Sequence, residues 1–255
     1  LCNVHLFSTM ALDEFQHVRR EEVSLLVGKL AAAASPVCMG EEVNVCATNA
    51  LGRAVLGMRL FAAGKEAEEF KEMVVELMRL AGVFNVGDFI PELKWLDLQG
   101  VVGKMKALHK RYDRLLDGLI AKHSARSGAG GKEGSLLSVL VALKNAEDAD
   151  AEGEKITDTE IKALLLNLFS AGTDTTASTV EWTLAELIRH PEVLLKLQQE
   201  LDSVLGRDRL VSDADLPRLP YLQAVVKEAF RLHPSTPLSL PRVAAESCEI
   251  AGYHI

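Results

Sequence analysis

The chain has 255 residues, 48% hydrophobic and 25% charged, which is enough apolar material to bury a large core and too much for a disordered segment. A formal net charge of −8 with no basic stripe argues against a nucleic-acid partner, and no apolar run reaches the roughly 18 residues of a transmembrane helix. The four cysteines, Cys2, Cys38, Cys46 and Cys248, have no metal-ligand spacing and read as reduced packing residues of a cytosol-facing protein.

Leu1 to Phe7 reads as the tail of an earlier helix. The start at Leu1 and the end at Ile255 in mid-pattern create the expectation of a piece cut from a longer protein. Ser8 and Thr9 open a helix to about Ala34, with Leu12, Phe15, Val18, Leu25, Leu26 and Leu30 recurring near the helical period. Asn44 to Val55 is a second helix with Gly57 as its cap, and Phe70 to Val83 a third, ending near Gly82. Between Asn85 and Gly100 the chain carries Phe89, Ile90, Trp95 and Leu98 around Pro91. A loop this apolar packs under its neighbours or lines a cavity, and packing is the reading preferred here. From Val101 a helix follows with Leu108, Tyr112, Leu116 and Leu119 inward and Lys104, Lys106, Lys110, Arg111 and Arg114 on a solvated face. Ser124 to Gly134 is a flexible linker, Ser135 to Lys144 a short buried helix, and Ala146 to Glu154 an acidic connection. The helices on both sides of these connections are amphipathic and need partners, so no domain boundary is placed there.

Thr157 to His190 reads as one long helix. Thr157 and Glu160 make a capping box, and Pro191 pushes His190 out of the helical region. At 1.5 Å per residue it spans on the order of 50 Å. Its middle, Ala171-Gly172-Thr173-Asp174-Thr175-Thr176, is a run of poor helix formers that costs about 2 to 4 kcal/mol relative to alanine. Threonine hydroxyls bond back to carbonyls one turn earlier, and glycine permits a close approach to the backbone. A carboxylate among hydroxyls also relays protons. A kink with a satisfied Thr/Asp cluster and a proton-relay turn both fit these residues.

Pro191 opens a helix through Leu194, Leu197, Leu201 and Val204 to Gly206, and Arg207 to Pro220 is a loop. Tyr221 to Leu232 is a further helix with Leu222, Val225, Val226, Ala229 and Phe230 on its buried face, and Glu228 and Arg231 are spaced to pair. Ser235 to Arg242, rich in proline, is extended, and Cys248 to Ile255 reads as strand, turn at Ala251-Gly252, strand. The fold class is therefore mainly α, with a long central helix and a small C-terminal β segment. A carboxylate-bridged metal bundle is not supported, because the long helices carry no Glu-x-x-His pair. His109, His123 and His190 read as solvent-facing or cap residues, and no metal ligand is assigned.

AGTDTT in a long central helix, EAFR about fifty residues later and then HPSTPLSLPR together resemble the cytochrome P450 family. The stretches LCNVHLFS, FNVGDFIPELKWLDLQGVVGKMKALHKRYD, NLFSAGTDTTASTVEWTLAELIRHPE and RLHPSTPLSLPRVAAESCEIAGYHI resemble its plant flavonoid 3'-hydroxylase branch, with the flavonoid 3',5'-hydroxylases as the alternative. The resemblance implies a partial cytochrome P450 domain over 1–255 and, for the complete protein, haem b and NADPH-derived electrons delivered by NADPH-cytochrome P450 reductase. It also implies a flavonoid substrate hydroxylated at the 3' position of its B ring, and a membrane anchor in the endoplasmic reticulum.

By the same resemblance, Ala171, Gly172 and Thr176 form the oxygen and haem groove, Thr175 hydrogen-bonds the oxygen ligand, and Asp174 relays protons to it. Glu228 and Arg231 are a buried structural pair, and Arg242 pairs with a haem propionate. Phe84, Ser235, Thr236 and Leu238 line the substrate pocket. The family's haem-ligating loop F-x-x-G-x-R-x-C-x-G does not occur in the 255 residues, nor do the anchor and the W-R pair expected before Leu1. The chain by itself is accordingly expected to be inactive. A helical scaffold without a cofactor is the reading from another class.

Overall fold

The computed structural model describes residues 2, 6–61, 65–127, 134–145, 156–239 and 244–254. They fall into two compact units, Leu1–Glu181 and Trp182–Ile255. The predicted linker at 124–134 and acidic connection at 146–154 lie largely outside the described residues.

In the first unit, Ser8 caps a helix by accepting the Ala11 N–H at 3.2 Å. The helix expected to run to Ala34 is divided into α1 (Thr9–Glu14) and α2 (Gln16–Ala31), meeting at Phe15 with φ −84° and ψ 4°. The bend leaves Phe15 and Val18 in the core, whereas Leu12 and Leu25 of the expected inward face are exposed. α3 (Met39–Leu56) begins earlier than its apolar spacing suggested, with Glu41 and Glu42 in its first turn, where the helix dipole favours acids. It stops on Gly57 at φ 69°, a left-handed cap that glycine adopts without steric cost. Charge ties α2 to α3. Glu22, 3% exposed, accepts Arg53 Nη1 at 2.9 Å and Arg59 Nε at 2.8 Å, while Glu21 takes the other Arg53 nitrogen at 2.7 Å.

α4 (Lys65–Ala81) packs on α6 (Val101–Ser127). The segment between them folds into a single helical turn, α5 (Val86–Phe89), and a 3-10 turn at Pro91–Leu96. Asp97 then caps α6 by accepting the N–H groups of Val102 at 3.0 Å and Gly103 at 2.8 Å. The packing preferred for this segment is not observed. Phe84, Phe89, Trp95 and Leu98 are 61–79% exposed, and Phe84 stacks on Phe89 at 4.8 Å. Short helical turns and the Asp97 cap satisfy the backbone locally, so the segment needs no cover.

α7 (Leu136–Asn145) is buried through Leu136, Leu137 and Leu140, as its composition predicts. α8 (Asp158–Gly172) starts with the predicted capping box of Thr157 and Glu160. The core gathers around Phe169, whose ring meets Phe70 edge-on at 4.8 Å, with Tyr112 tilted against Phe70 at 6.1 Å. The Tyr112 hydroxyl donates to the Lys162 carbonyl at 3.3 Å, and burial pushes its phenol well above the ordinary tyrosine range.

α9 (Asp174–Arg189) crosses from the first unit into the second. The second unit continues with α10 (Pro191–Leu205), a 3-10 turn at Asp213–Arg218, α11 (Pro220–Leu232), and an antiparallel hairpin. The hairpin pairs β1 (Glu249–Ile250) with β2 (Tyr253–His254), Glu249 opposite His254 and Ile250 opposite Tyr253. Ala251 at φ 52° and Gly252 at φ 83° turn the chain between them, as predicted.

Charged side chains close the backbone ends in this unit. Glu200 on α10 accepts the first N–H groups of α11, Tyr221 at 2.8 Å and Leu222 at 2.9 Å. Asp215 receives Arg209 through two bonds of 2.6 and 2.8 Å and caps its own turn through Ser212. Phe230, expected on the buried face of α11, is 53% exposed. Of the stretch predicted to be extended, 235–239 instead turns: Ser239 donates to the Thr236 carbonyl at 3.0 Å and has φ 59°, and 240–242 lies outside the described residues.

All four cysteines are free. Cys38 and Cys248 are exposed rather than packed, and burial pushes the Cys46 thiol up. No described helix is long and apolar enough to cross a membrane.

Candidate functional site

The long central helix is interrupted where its poor helix formers stand. α8 ends at Gly172, Thr173 has φ −93° and ψ −68°, and α9 begins at Asp174. The last carbonyls of a helix lack intrahelical donors, and hydroxyls one turn later supply them here. Thr173 donates to Phe169 at 3.0 Å, Thr175 to Ala171 at 2.6 Å and Thr176 to Gly172 at 3.0 Å. Ser170 and Thr179 extend the series by bonding Leu166 and Thr175. The threonines that cost helix propensity therefore return hydrogen bonds at the break.

These bonds bring Ala171 together with Thr175, and Gly172 with Thr176. Ala171 and Thr176 are exposed and Thr175 half-exposed, so the turn offers small side chains and hydroxyls on an open face. Gly172 answers to a different neighbour. A Cβ there would lie 3.0 Å from Leu51 Cδ2, so the missing side chain lets α3 approach the end of α8. Asp174 is also engaged toward α3, its Oδ1 accepting the Asn44 side-chain amide at 2.7 Å. The Asn44 carbonyl oxygen in turn faces the Thr48 hydroxyl at 3.4 Å. A cavity of about 610 Å³ adjoins this chain of polar groups, with Glu42, Asn44, Thr48, Thr173 and Asp174 among its lining. The carboxylate is thus held by a neutral donor beside open space. Asn44 had no signal in the sequence beyond being a polar residue at a helix start.

A second, more apolar cavity of about 690 Å³ lies in the first unit between α4 and α6, with Leu77, Val83, Met105, Tyr112 and Leu166 in its wall. Phe84, also in the first unit, is 63% exposed. In the second unit Ser235, Thr236 and Leu238 all face solvent on the turn after α11. Arg242 lies outside the described residues.

Glu228 and Arg231 pair as their spacing predicts, through two bonds of 2.8 and 2.7 Å, and the guanidinium holds the Glu228 carboxyl below the usual range. The pair is not buried as expected. The two side chains are 54% and 66% exposed. Sequence reasoning also missed a cluster on α9 in which His233 stacks on Trp182 at 4.0 Å and bonds Glu186 at 2.8 Å. Among the described residues, no group of three or more His, Cys, Asp or Glu is placed to hold a metal ion.

A cytochrome P450 family model matches residues 1–255. A flavonoid 3'-monooxygenase of Crocosmia x crocosmiiflora is 65% identical and one of Oryza sativa subsp. japonica 63%, each over all of this chain and 50% of the relative. A flavonoid 3',5'-hydroxylase of Crocosmia x crocosmiiflora is 55% identical over all of this chain and 51% of its own length. The chain thus spans about half the length of the curated relatives it matches. Among solved structures, a zebra fish cytochrome P450 with progesterone superposes with a TM-score of 0.76 at 24% identity, covering 95% of this chain and 55% of that one.

Proposed function

The chain belongs to the cytochrome P450 family, and from that premise we propose that the whole protein is a haem-thiolate monooxygenase placing one oxygen atom on the 3' carbon of a flavonoid B ring. NADPH supplies the electrons through a reductase partner, and the protein works at the endoplasmic reticulum membrane. Two flavonoid 3'-monooxygenases at 65% and 63% identity, against 55% for the 3',5'-hydroxylase of Crocosmia x crocosmiiflora, support the single position.

The observation that carries the reading is the broken turn of the central helix. Ala171, Thr175 and Thr176 make a wall of small and hydroxyl-bearing side chains open enough to lie beside a flat macrocycle. The fit extends to that wall alone. None of the four cysteines stands in the F-x-x-G-x-R-x-C-x-G context of an axial ligand. Haem, when bound, supplies the redox chemistry that activates dioxygen.

This chain's own residues supply proton handling. Thr175 spends its hydroxyl proton on the Ala171 carbonyl at 2.6 Å, which leaves its oxygen lone pairs to accept a hydrogen bond from a reacting group. Asp174, one residue away, is the nearest carboxylate in the sequence, and Asn44 fixes one of its oxygens while the adjoining cavity gives it access to water. A carboxylate that takes protons from solvent and releases them to a group held by the accepting Thr175 hydroxyl acts as a general acid.

In the full-length enzyme, Thr175→Ala should keep NADPH consumption while product per NADPH falls severalfold. Unchanged coupling would remove Thr175 from the mechanism. Chromatography of the product separates the two regiochemistries, since appearance of a 3',5'-dihydroxylated B ring favours the alternative. The 255-residue chain alone, reduced and exposed to carbon monoxide, should give no thiolate-type Soret band.

A further inference from the structure

His233 ends α11 and precedes the turn that carries Ser235, Thr236 and Leu238. Its N–H bonds the Ala229 carbonyl at 2.9 Å and Pro234 follows, so the helix would stop there whatever the side chain. The imidazole does something further. It lies parallel to the Trp182 ring, 4.0 Å away with 7° between the planes, and its Nε2 is 2.8 Å from Glu186 Oε1. Trp182 and Glu186 are one turn apart on α9, so a single ring spans both. Stacking fixes the plane of the ring, and the directional bond to a carboxylate fixes its rotation within that plane.

The surroundings reinforce this anchor. Glu186 also receives Arg189 Nη1 at 3.0 Å and has His190 Nε2 at 3.6 Å, which keeps the carboxylate in place. The side chains of His233 and Glu186 are 23% and 15% exposed. Beyond the clamp the chain is open: residues 234 to 239 all face solvent, with Leu238 94% exposed. Within this turn, the hydrogen bond described is that of Ser239 to the Thr236 carbonyl. The direction in which the turn leaves α11 is therefore set at His233.

We propose that His233, clamped between Trp182 and Glu186, is a positioning residue that aims the Ser235–Leu238 turn and thereby sets how tightly substrate is held. This rests on the reading of that turn as a substrate wall. The side chain touches no reacting atom, so its loss should be felt in binding before turnover.

The test uses the full-length, haem-loaded enzyme and three variants. His233→Ala removes stack and bond, His233→Phe keeps the stack, and His233→Gln keeps a donor for Glu186. With a flavonoid as substrate, His233→Ala should raise KM about tenfold while kcat stays within about twofold, and Phe and Gln should each recover part of the loss. Hydrogen–deuterium exchange of the 234–239 peptide should accelerate in the same order, with the α10 peptides unchanged. Equal KM and equal exchange in all three variants would overturn the proposal. Should His233→Ala fail to load haem, the Phe and Gln variants decide in the same way, by whether KM and exchange move. If the wild-type enzyme turns over no flavonoid, the proposed function fails, and the exchange series alone then rules for or against the clamp.

Discussion

Leu1–Glu181 buries Phe70, Phe169, Leu116, Leu137, Leu140 and Ile161 at 1% exposure or less, whereas in Trp182–Ile255 Leu219 alone among the described residues reaches that level, with Leu187, Leu197 and Ala229 at 5–7%. What the second unit lacks in apolar burial it makes up with charged side chains set against backbone ends and against one another: Glu200 on α11, Asp215 on its own turn, and Glu186 on His233. Burial is non-directional and scales with area, so the first unit should respond to loss of volume. Capping and ion pairing are directional and depend on protonation, so the second should respond to loss of charge.

The sharpest way to break this contrast is in the first core. Phe169→Ala empties a fully buried site against Phe70 and should cost about 3 to 5 kcal/mol in a denaturant unfolding curve. Glu22→Ala is the exception within this unit, a loss of charge that should cost about 2 to 3 kcal/mol by the same measurement, since it takes the shared carboxylate from Arg59 and leaves Arg53 with Glu21. In the second unit, Glu200→Ala removes the acceptor of two N–H groups and should cost about 1 kcal/mol, seen as faster exchange confined to the first turn of α11.

A pH titration sharpens the comparison further. The Arg209 guanidinium, with the Ser212 hydroxyl and N–H, holds the Asp215 carboxyl far below the usual aspartate range. A carboxyl depressed on folding stabilises fully above its unfolded pKa of about 3.9, and that contribution is lost as pH falls through the lower folded value. Exchange of the 212–218 peptide should therefore be flat from neutral pH to about pH 4 and accelerate below it, after correction for the intrinsic rate. Glu186, lowered by its bond to His233, should follow the same sign. The smallest effect is expected for Glu228→Gln in this 255-residue chain. That pair is solvent-exposed, and its loss should lie within the error of an unfolding curve.

Features closed within a few residues were legible in the sequence. The Ser8 cap, the Thr157–Glu160 box, the Gly57 and Gly206 stops and the Ala251-Gly252 turn all follow from local chemistry and stand where they were expected. The weak point of the central helix was also located correctly, although propensity alone did not distinguish a strained continuous helix from the break at Thr173. Burial was less legible, because it depends on what arrives from elsewhere. Phe89, Trp95 and Leu98 look like core by composition and are exposed, and Phe230 misled in the same way. Least legible were pairings across distance: Asn44 meets Asp174 over 130 positions, and Glu186 meets His233 over 47. Neither leaves a periodic trace.

The contact between Gly172 and Leu51 makes two distant positions epistatic. Alanine at 172 brings a methyl group to 3.0 Å of Leu51 Cδ2, closer than side chains normally sit, so the Leu51 side chain has to give by a few tenths of an ångström. A shorter residue at 51 removes the obstacle, so Gly172→Ala should be harmful alone and better tolerated with Leu51→Ala than additivity allows. Because α3 also carries Asn44, the partner of Asp174, that pair of substitutions offers an engineer a way to retune the broken turn from its far side without altering any residue on its open face.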